Sequence, residues 1–469
     1  MTASSLGRVA GACWIACSMG SLAFGGTTVT MRALGDDLQV VAGSSSAAFC
    51  AGVFTIDVAA NTATYYVVTS NLASGETIAA IHGPADPGQA GSHVHSMPLG
   101  PVKMGVWNFD EAQEADLLAG RFYIDIHSNA FPDGEVRGQI CDMVCTIDGL
   151  QPNPSPGSAG RGFGIFSIDI ANNLLSYHIE YTGLSSPEFV SHIHCPGNFG
   201  ENDPLPPHTL PAGPLKVGSW SYPDEFEDDI LEGRSYVLVH STMFPGGEIR
   251  GQIIPSLSPL DASQEVQTPP VVSPGVGYAL FAVNRAQNML GFNVRYADLT
   301  GMQTVAHIHG PAAPGANGGI VVALPTGNPK IGAVALTPGN MADFDAGLLY
   351  VNIHSSTFTL GEVRGQILPP PPPPTPPGVQ FIRGDCNGDA AYNIADAVSG
   401  LGVLFSGSGP ESCTDACDAN DDGQFNIADM ISILGDLFSG DPLPPAPHPG
   451  CGLDPTLDGI DCAASSSCP

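Results

Sequence analysis

Two groups of residues in this sequence carry donor atoms at spacings that suit metal ions. The first is imidazole. His192 and His194 lie two residues apart, as do His307 and His309, and a further ring, His240 or His354, follows the second member by 46 or 45 residues. On an extended strand such a pair projects from one face, so the third ring can complete a three-nitrogen set of the kind that binds zinc or copper. His82 and His127 keep the 45-residue interval but Ala80 stands where the first histidine would be; His93 and His95 fall on what reads as the next strand and are candidates to compensate. The second group is oxygen. Asp385, Asn387, Asp389, Ala391, Asn393 and Asp396 recur 33 residues later as Asp418, Asn420, Asp422, Gln424, Asn426 and Asp429, at loop positions 1, 3, 5, 7, 9 and 12. That oxygen-rich spacing wraps a hard cation, and two calcium sites are expected. Position 6, where the turn wants glycine, is Gly423 in the second loop and Ala390 in the first, which predicts weaker binding in the first.

The histidines have a competing reading. They can hydrogen-bond to repeat-specific partners, Glu135, Glu248 and Glu362 or the neighbouring tyrosines, and so fix the rim of a fold; this structural role takes precedence because no group that would orient the rings is visible in the sequence. The recurrent Glu-x-Arg places both charges on one strand face, where an ion pair is expected rather than acid–base chemistry. No nucleophile elbow, phosphate loop or carboxylate dyad stands out, and no enzyme is expected.

The elements that must position these residues are legible as repeats. One phrase appears as Gly134-Glu135-Val136-Arg137-Gly138-Gln139-Ile140, as Gly247-Glu248-Ile249-Arg250-Gly251-Gln252-Ile253 and as Gly361-Glu362-Val363-Arg364-Gly365-Gln366-Ile367, with arginines 113 and 114 residues apart. Such a period is the size of an independent domain, so each repeat is expected to fold alone. Alternation marks strands: Val351 and Ile353 face one way, Tyr350, Asn352 and His354 the other. The preceding Phe-Pro-x-Gly or Phe-Thr-Leu-Gly reads as a hairpin loop. With 58 glycines and 43 prolines, the chain is expected to be mainly β, with three tandem sandwiches over 31–141, 142–255 and 259–368.

Around the repeats, residues 1–25 read as an export signal, with Arg8 before the apolar Val9 to Phe24 and cleavage near Gly25. Residues 369–378 form a proline-rich spacer, 383–440 a small helical calcium module and 441–469 a cysteine-containing tail. Lys and Arg total 14 against 46 Asp and Glu, a net charge of −32, which argues against nucleic acid and anionic membranes as partners; no membrane span is expected in the mature chain. Ten of the twelve cysteines lie outside the signal, and disulfides are expected between Cys50 and Cys141, Cys145 and Cys195, and Cys386 and Cys413 or Cys417.

The His-Ile-His-Gly-Pro phrase, the Val-Asn-Ile-His-Ser strand and the Gly-Glu-Val-Arg-Gly-Gln-Ile hairpin resemble the CHRD domain, named for chordin and widespread in bacterial secreted proteins. The resemblance covers about Met31 to Leu368 and implies immunoglobulin-like β-sandwiches with a binding or structural role, their ligand an unidentified protein or polysaccharide. The duplicated loop and helix of 385–438 is similar to a type I dockerin module. That resemblance implies docking to a cohesin-like protein through loop positions 10 and 11, here Ile394, Ala395, Ile427 and Ala428, which are apolar rather than hydroxylated as in many cellulosomal dockerins. Together these imply a secreted or surface-bound bacterial binding protein that docks in a calcium-dependent way. Two alternatives remain open: an accessory component of an extracellular polysaccharide-degrading complex, and a zinc- or copper-binding repeat protein. The latter rests on a His-x-His and distant His similar to copper–zinc superoxide dismutase, although that family's bridging His and zinc-binding Asp have no counterpart here.

Overall fold

The computed structural model describes residues 28–203, 206–370, 379–406, 413–440, 442–453, 462, 465 and 468. The export signal at 1–25 and positions 371–378 of the spacer lie outside the described residues. The chain divides into two compact units, 1–373 and 374–469.

The first repeat contains β1 (Thr28–Gly35), β2 (Phe49–Asp57), β3 (Thr62–Ser70), β4 (Glu76–His82), β5 (His93–Ser96), β6 (Val102–Asn108), β7 (Tyr123–Ser128) and β8 (Val136–Cys141). These form one sheet in the order β5-β4-β7-β8-β1-β2-β3-β6. β1 and β2 pair over eight residues, whereas β8 joins β1 through only two pairs, Arg32 with Cys141 and Ala33 with Ile140. The sheet is therefore doubled over along a narrow seam. Ala33, Phe54, Tyr65 and Trp107 from one half and Ile81, Ile124, Ile126 and Val136 from the other fill a single core. The expected sandwich is present, with a correction: its two layers are halves of one sheet rather than separate sheets. The second and third repeats use the same strand order, and their seams are held by Arg250 with Asp148 and by Asp261 with Arg364. Glycine is required at these crossings, since a Cβ on Gly365 would lie 2.6 Å from the Pro259 carbonyl oxygen.

Alternation along β3 is clear from Ala63 to Tyr66 and then fails, with Val67 to Ser70 all buried. The third repeat's strand Val276–Asn284 is buried at every position. The cause is a second core shared by the three repeats, where Ala51, Val53 and Val68 meet Val144, Phe163 and Ile165 of the second repeat and Leu257, Tyr278 and Leu280 of the third. Each such Val, Leu, Ile or Phe side chain contributes about 1.5–3 kcal/mol when fully withdrawn from water. Polar contacts close the same ring. Arg161 of the second repeat donates to both carboxylate oxygens of Asp37 in the first, at 2.5 and 2.8 Å. Arg295 of the third pairs with Asp148 of the second, and Tyr66 of the first donates to Asp261 of the third. The repeats thus have separate cores but do not stand as independent beads.

Among its described residues the C-terminal unit has two α-helices, Ile394–Ser406 and Ile427–Ser439, packed with Ala397, Ala419, Met430 and Ile433 in one core. Disulfides join Cys386 to Cys417, Cys413 to Cys462 and Cys451 to Cys468. The tail is tied to the module by backbone pairing of Phe381 with Gly452. The expected Cys50–Cys141 and Cys145–Cys195 bonds are not formed; all four thiols are free and buried. Cys50 pairs with Gly35 and Cys141 with Arg32 on opposite sides of β1, so they are two strand spacings apart, about 9–10 Å, and offset by three residues along it. Burial pushes the Cys50 and Cys141 thiols up to about 12, so they act as small apolar fillers.

Burial at the junction, with Asp37 alongside, raises the Asp36 carboxyl to about 7. An acid raised in the folded state favours folding while protonated, and that advantage is lost as pH climbs from about 4 to 7. Asp36→Asn keeps an oxygen to accept from the Leu38 and Gln39 amides. Thermal melts should therefore show the variant gaining stability over wild type progressively between pH 4 and 7, with a constant advantage above; a constant difference throughout would contradict the buried-acid assignment.

Candidate metal sites

The strand that carries each later histidine is held against the His-x-Pro loop by a buried arginine and glutamine. In the second repeat Arg250 donates to the carbonyl oxygens of Glu201 and Asn198 at 2.5 and 2.7 Å and to Gln252 Oε1 at 2.9 Å. Gln252 Nε2 donates to the carbonyls of Gly197 and Gly233. Arg137 with Gln139 and Arg364 with Gln366 repeat this pattern. The guanidinium also lies 3.6 Å over the Tyr236 ring, on which His194 stacks at 4.8 Å and 3°. Tyr350 holds Arg364 and His309 in the same way, and Tyr123 holds Arg137 and His82. A cation over an aromatic face contributes about 0.5–2 kcal/mol, more when desolvated.

The rings are oriented by main-chain carbonyls. His194 Nδ1 donates to Asp203 O at 2.9 Å and His240 Nδ1 to Pro245 O at 2.9 Å; His309 and His354 do the same to Gly318 O and Thr359 O. Because a carbonyl only accepts, the proton sits on Nδ1 and the Nε2 lone pair points away from it. His192, His194 and His240 gather with one ligand atom each within 4.8 Å of the others, as do His307, His309 and His354. Burial lowers His194 to about 4 and depresses His192, His240, His307 and His309, so these rings are neutral near pH 7.

The glutamates expected as partners lie elsewhere. Glu135, Glu248 and Glu362 accept from Ser46, Ser158 and Ser273 and from the amides of Ala73, Ser185 and Thr300. These donors lie 62–90 residues earlier in the chain and are brought to the hairpin by the fold, while the arginine is drawn to the loop carbonyls; the expected Glu–Arg ion pair is absent among the described residues.

The two oxygen-rich loops share one hydrogen-bond pattern. Asp385 accepts from the amides of Asp389 and Ala390, Asp418 from those of Asp422 and Gly423. Asp396 and Asp429, both buried, accept from the amides of Asn393 and Asn426. Asn387, Asp389, Asn420 and Asp422 each accept from the amide two residues on, and Asn393 and Asn426 donate to the carbonyls of Ala391 and Gln424. Asp418, Asp422 and Asp429 bring their carboxylates within 4.8 Å. Burial raises Asp396 and Asp429 to about 6, the signature of acids folded together without a compensating charge. Ile394, Ala395 and Ile427 at positions 10 and 11 are exposed and Ala428 is half-buried.

A family model for the CHRD domain matches residues 32–140, 144–253 and 257–367. The chain belongs to the CHRD domain family. Chordin of Danio rerio is 28% identical over 158 residues, covering 29% of this chain and 17% of that protein, so the chain matches less than a fifth of its relative's length. Across the three CHRD repeats of this chain, the recurring phrases supply the arginine–glutamine network, the tyrosine it lies on and the histidine stacked there. The first CHRD repeat departs from the others in a way the sequence reading missed. Its compact set is His82, Asp125 and His127, with Asp125 where the other repeats have Leu238 and Asn352. His93 bonds to Ser96 and packs edge-on against His82 with ring centroids 5.6 Å apart, and His95 bonds to Tyr65; neither belongs to the compact set. The signal was available by aligning the three later strands, where Asp125 is the carboxylate that differs.

Ala390 occupies a left-handed conformation at φ 64°, matched by Gly423 at 74°. Ala390→Gly is expected to stabilise the C-terminal unit by about 1 kcal/mol, read as a higher transition temperature for that unit in calorimetry of the full chain. An unchanged or lower transition would contradict the strained-turn assignment.

Proposed function

We propose that this chain is an extracellular, non-enzymatic binding protein: the closed body of CHRD repeats presents the ligand-binding surface, and the C-terminal unit, folded around two calcium ions, docks it to another protein. The observation that carries the docking reading is a duplicated apolar stripe. Ile394, Val398 and Phe405 on the first helix are 51, 62 and 72% exposed, and Ile427, Ile431 and Phe438, at the same spacing on the second, are 50, 62 and 68% exposed. Exposing six large apolar side chains on a small unit is costly unless a partner covers them. The sequence places these residues in one apolar pattern with Leu401, Leu404, Leu434 and Leu437; the fold turns the latter inward and leaves the former outside.

The residues present fit calcium. Asp385, Asn387, Asp389 and Asp396, with the Ala391 carbonyl, supply oxygens in the first loop, and Asp418, Asn420, Asp422 and Asp429, with the Gln424 carbonyl, in the second. A bound divalent cation supplies the charge that the buried acids lack, so metal binding and folding of the unit are linked. The partner is a cohesin-like protein with an apolar face bordered by basic groups, complementary to a chain of net charge −32. Three disulfides in this unit, the export-like N-terminus and the likeness to chordin support an extracellular setting. Among the described residues no helix is long and apolar enough to cross a membrane.

Calorimetric titration of chelator-stripped full chain should show two calcium equivalents. Capture on an immobilised cohesin domain should require calcium and weaken at least about tenfold in the Ile431→Asp, Phe438→Asp double variant, since two buried apolar anchors at an interface together contribute more than 1.4 kcal/mol. Absence of calcium uptake, or capture indifferent to both chelator and substitution, would refute the reading.

A further inference from the structure

We propose that the second and third repeats each bind one zinc-class divalent cation on three imidazoles, His192, His194 and His240 in one and His307, His309 and His354 in the other. The site is independent of the calcium loops and belongs to a different coordination chemistry, nitrogen rather than oxygen.

The argument begins with unsatisfied atoms. In the second repeat, His192 Nδ1, His194 Nε2 and His240 Nε2 are each buried and have no hydrogen-bond partner. Two of these three nitrogens are committed as acceptors, because His194 and His240 spend their ring protons on Asp203 O and Pro245 O. The cluster therefore holds at least two lone pairs and at most one N–H to share between them. A buried acceptor left unmade costs about 1–3 kcal/mol, and three neutral rings facing one another cannot repair that internally. The third repeat reproduces the arrangement. His309 Nε2 is again buried and unpartnered, while His307 Nδ1 donates to His354 Nε2 at 3.3 Å, a bond that a cation bound on both nitrogens would replace. A tetrahedral zinc with Zn–N bonds of about 2.0–2.1 Å separates its ligands by about 3.3–3.4 Å. One cation accepts all three lone pairs at once, and the carbonyls behind His194, His240, His309 and His354 already hold the rings as metal-ligating histidines are usually held.

The first repeat provides the contrast within the same chain. Ala80 removes the equivalent of His192 and His307, and Asp125 lies 3.5 Å from His127 Nε2, giving that ring an anionic partner of its own. The same backbone thus gives its histidine an anionic partner where the three-nitrogen set is missing, and leaves three nitrogens open in the second repeat and one in the third where the set is complete. His192, His240 and His307 are only half-buried, so a cation has access from the rim, and the fourth position falls to water.

The test uses the full chain, saturated with Ca²⁺ so that the acidic loops are filled, dialysed against Zn²⁺ and analysed for metal. Two zinc ions per chain are expected, one in His192→Gln or His307→Gln, none in the double variant and two in His82→Gln. Cobalt in place of zinc should give visible d–d absorption that disappears in the double variant. Because a substitution at the rim could disturb the sheet, His240→Gln and His354→Gln repeat the count from the opposite strand, and zinc should raise the melting temperature of the wild-type repeats but not of either double variant. Failure of wild type to retain zinc, or retention of two zinc ions by folded double variants, would overturn the proposal.

Discussion

Burial of an arginine in each repeat is the constraint on which the rest of the body depends. A guanidinium cannot shed its charge, so withdrawing it from water is tolerable only if its donors are met and its face is covered. Arg137, Arg250 and Arg364 are each about 98–99% buried and meet that demand with loop carbonyls, a glutamine two residues on and a tyrosine face. Carbonyls can serve only if the loop after the first histidine strand is drawn over the sheet. The same tyrosine hydroxyl accepts from a loop amide, Gly91, Asp203 or Gly318, which fixes the loop at a second point. The histidine stacked on the tyrosine has no freedom left, and its Nδ1 finds a carbonyl of that loop. Histidine geometry is in this sense a product of arginine solvation.

Closure of the three repeats into one ring follows from a different pressure. Each doubled sheet has an inner face that makes its own core and an outer face on which Val53, Ile165 and Leu280 are apolar. Those outer faces meet one another, and Asp37 just beyond β1, with Asp148 and Asp261 near the ends of the opening strands of the second and third repeats, each receive a donor from a neighbouring repeat. The first and third repeats touch directly, although more than a hundred residues separate them. A cavity of about 340 Å³ remains at the junction, lined by groups from all three repeats including Asp36, Arg161 and Tyr278.

Much of this was legible in the sequence because it is local. Strand alternation, the glycine at the hairpin turn, which has φ 114°, 119° and 133° at Gly134, Gly247 and Gly361, and the duplicated acidic loops all follow from residues within a few positions of one another. What escaped depended on partners with no signature in residue type. The carbonyls that orient the imidazoles belong to Asp203, Pro245, Gly318 and Thr359, any of which could have been another residue. The pairing of Cys50 and Cys141 failed for a related reason, since only the register across β1 reveals that they flank it at different heights. Spacing around Ala80 points along the chain to His93 and His95, whereas the third member of the compact set, Asp125, stands across the sheet. Likewise a helical apolar pattern does not by itself distinguish Leu401, which packs inward, from Val398, which is left exposed.

The central claim is that carbonyls of the arginine-held loop orient His194 and His309, and carbonyls of the hairpin orient His240 and His354, so that each donates from Nδ1 and turns Nε2 toward the other rings of its cluster. Long-range proton–nitrogen correlation NMR of the metal-free chain, with histidine nitrogens labelled, reads the protonation of each ring atom directly. At pH 7 the account predicts protonated Nδ1 and bare Nε2 at His194, His240 and His309. Nε2–H tautomers or doubly protonated rings at those positions would contradict it.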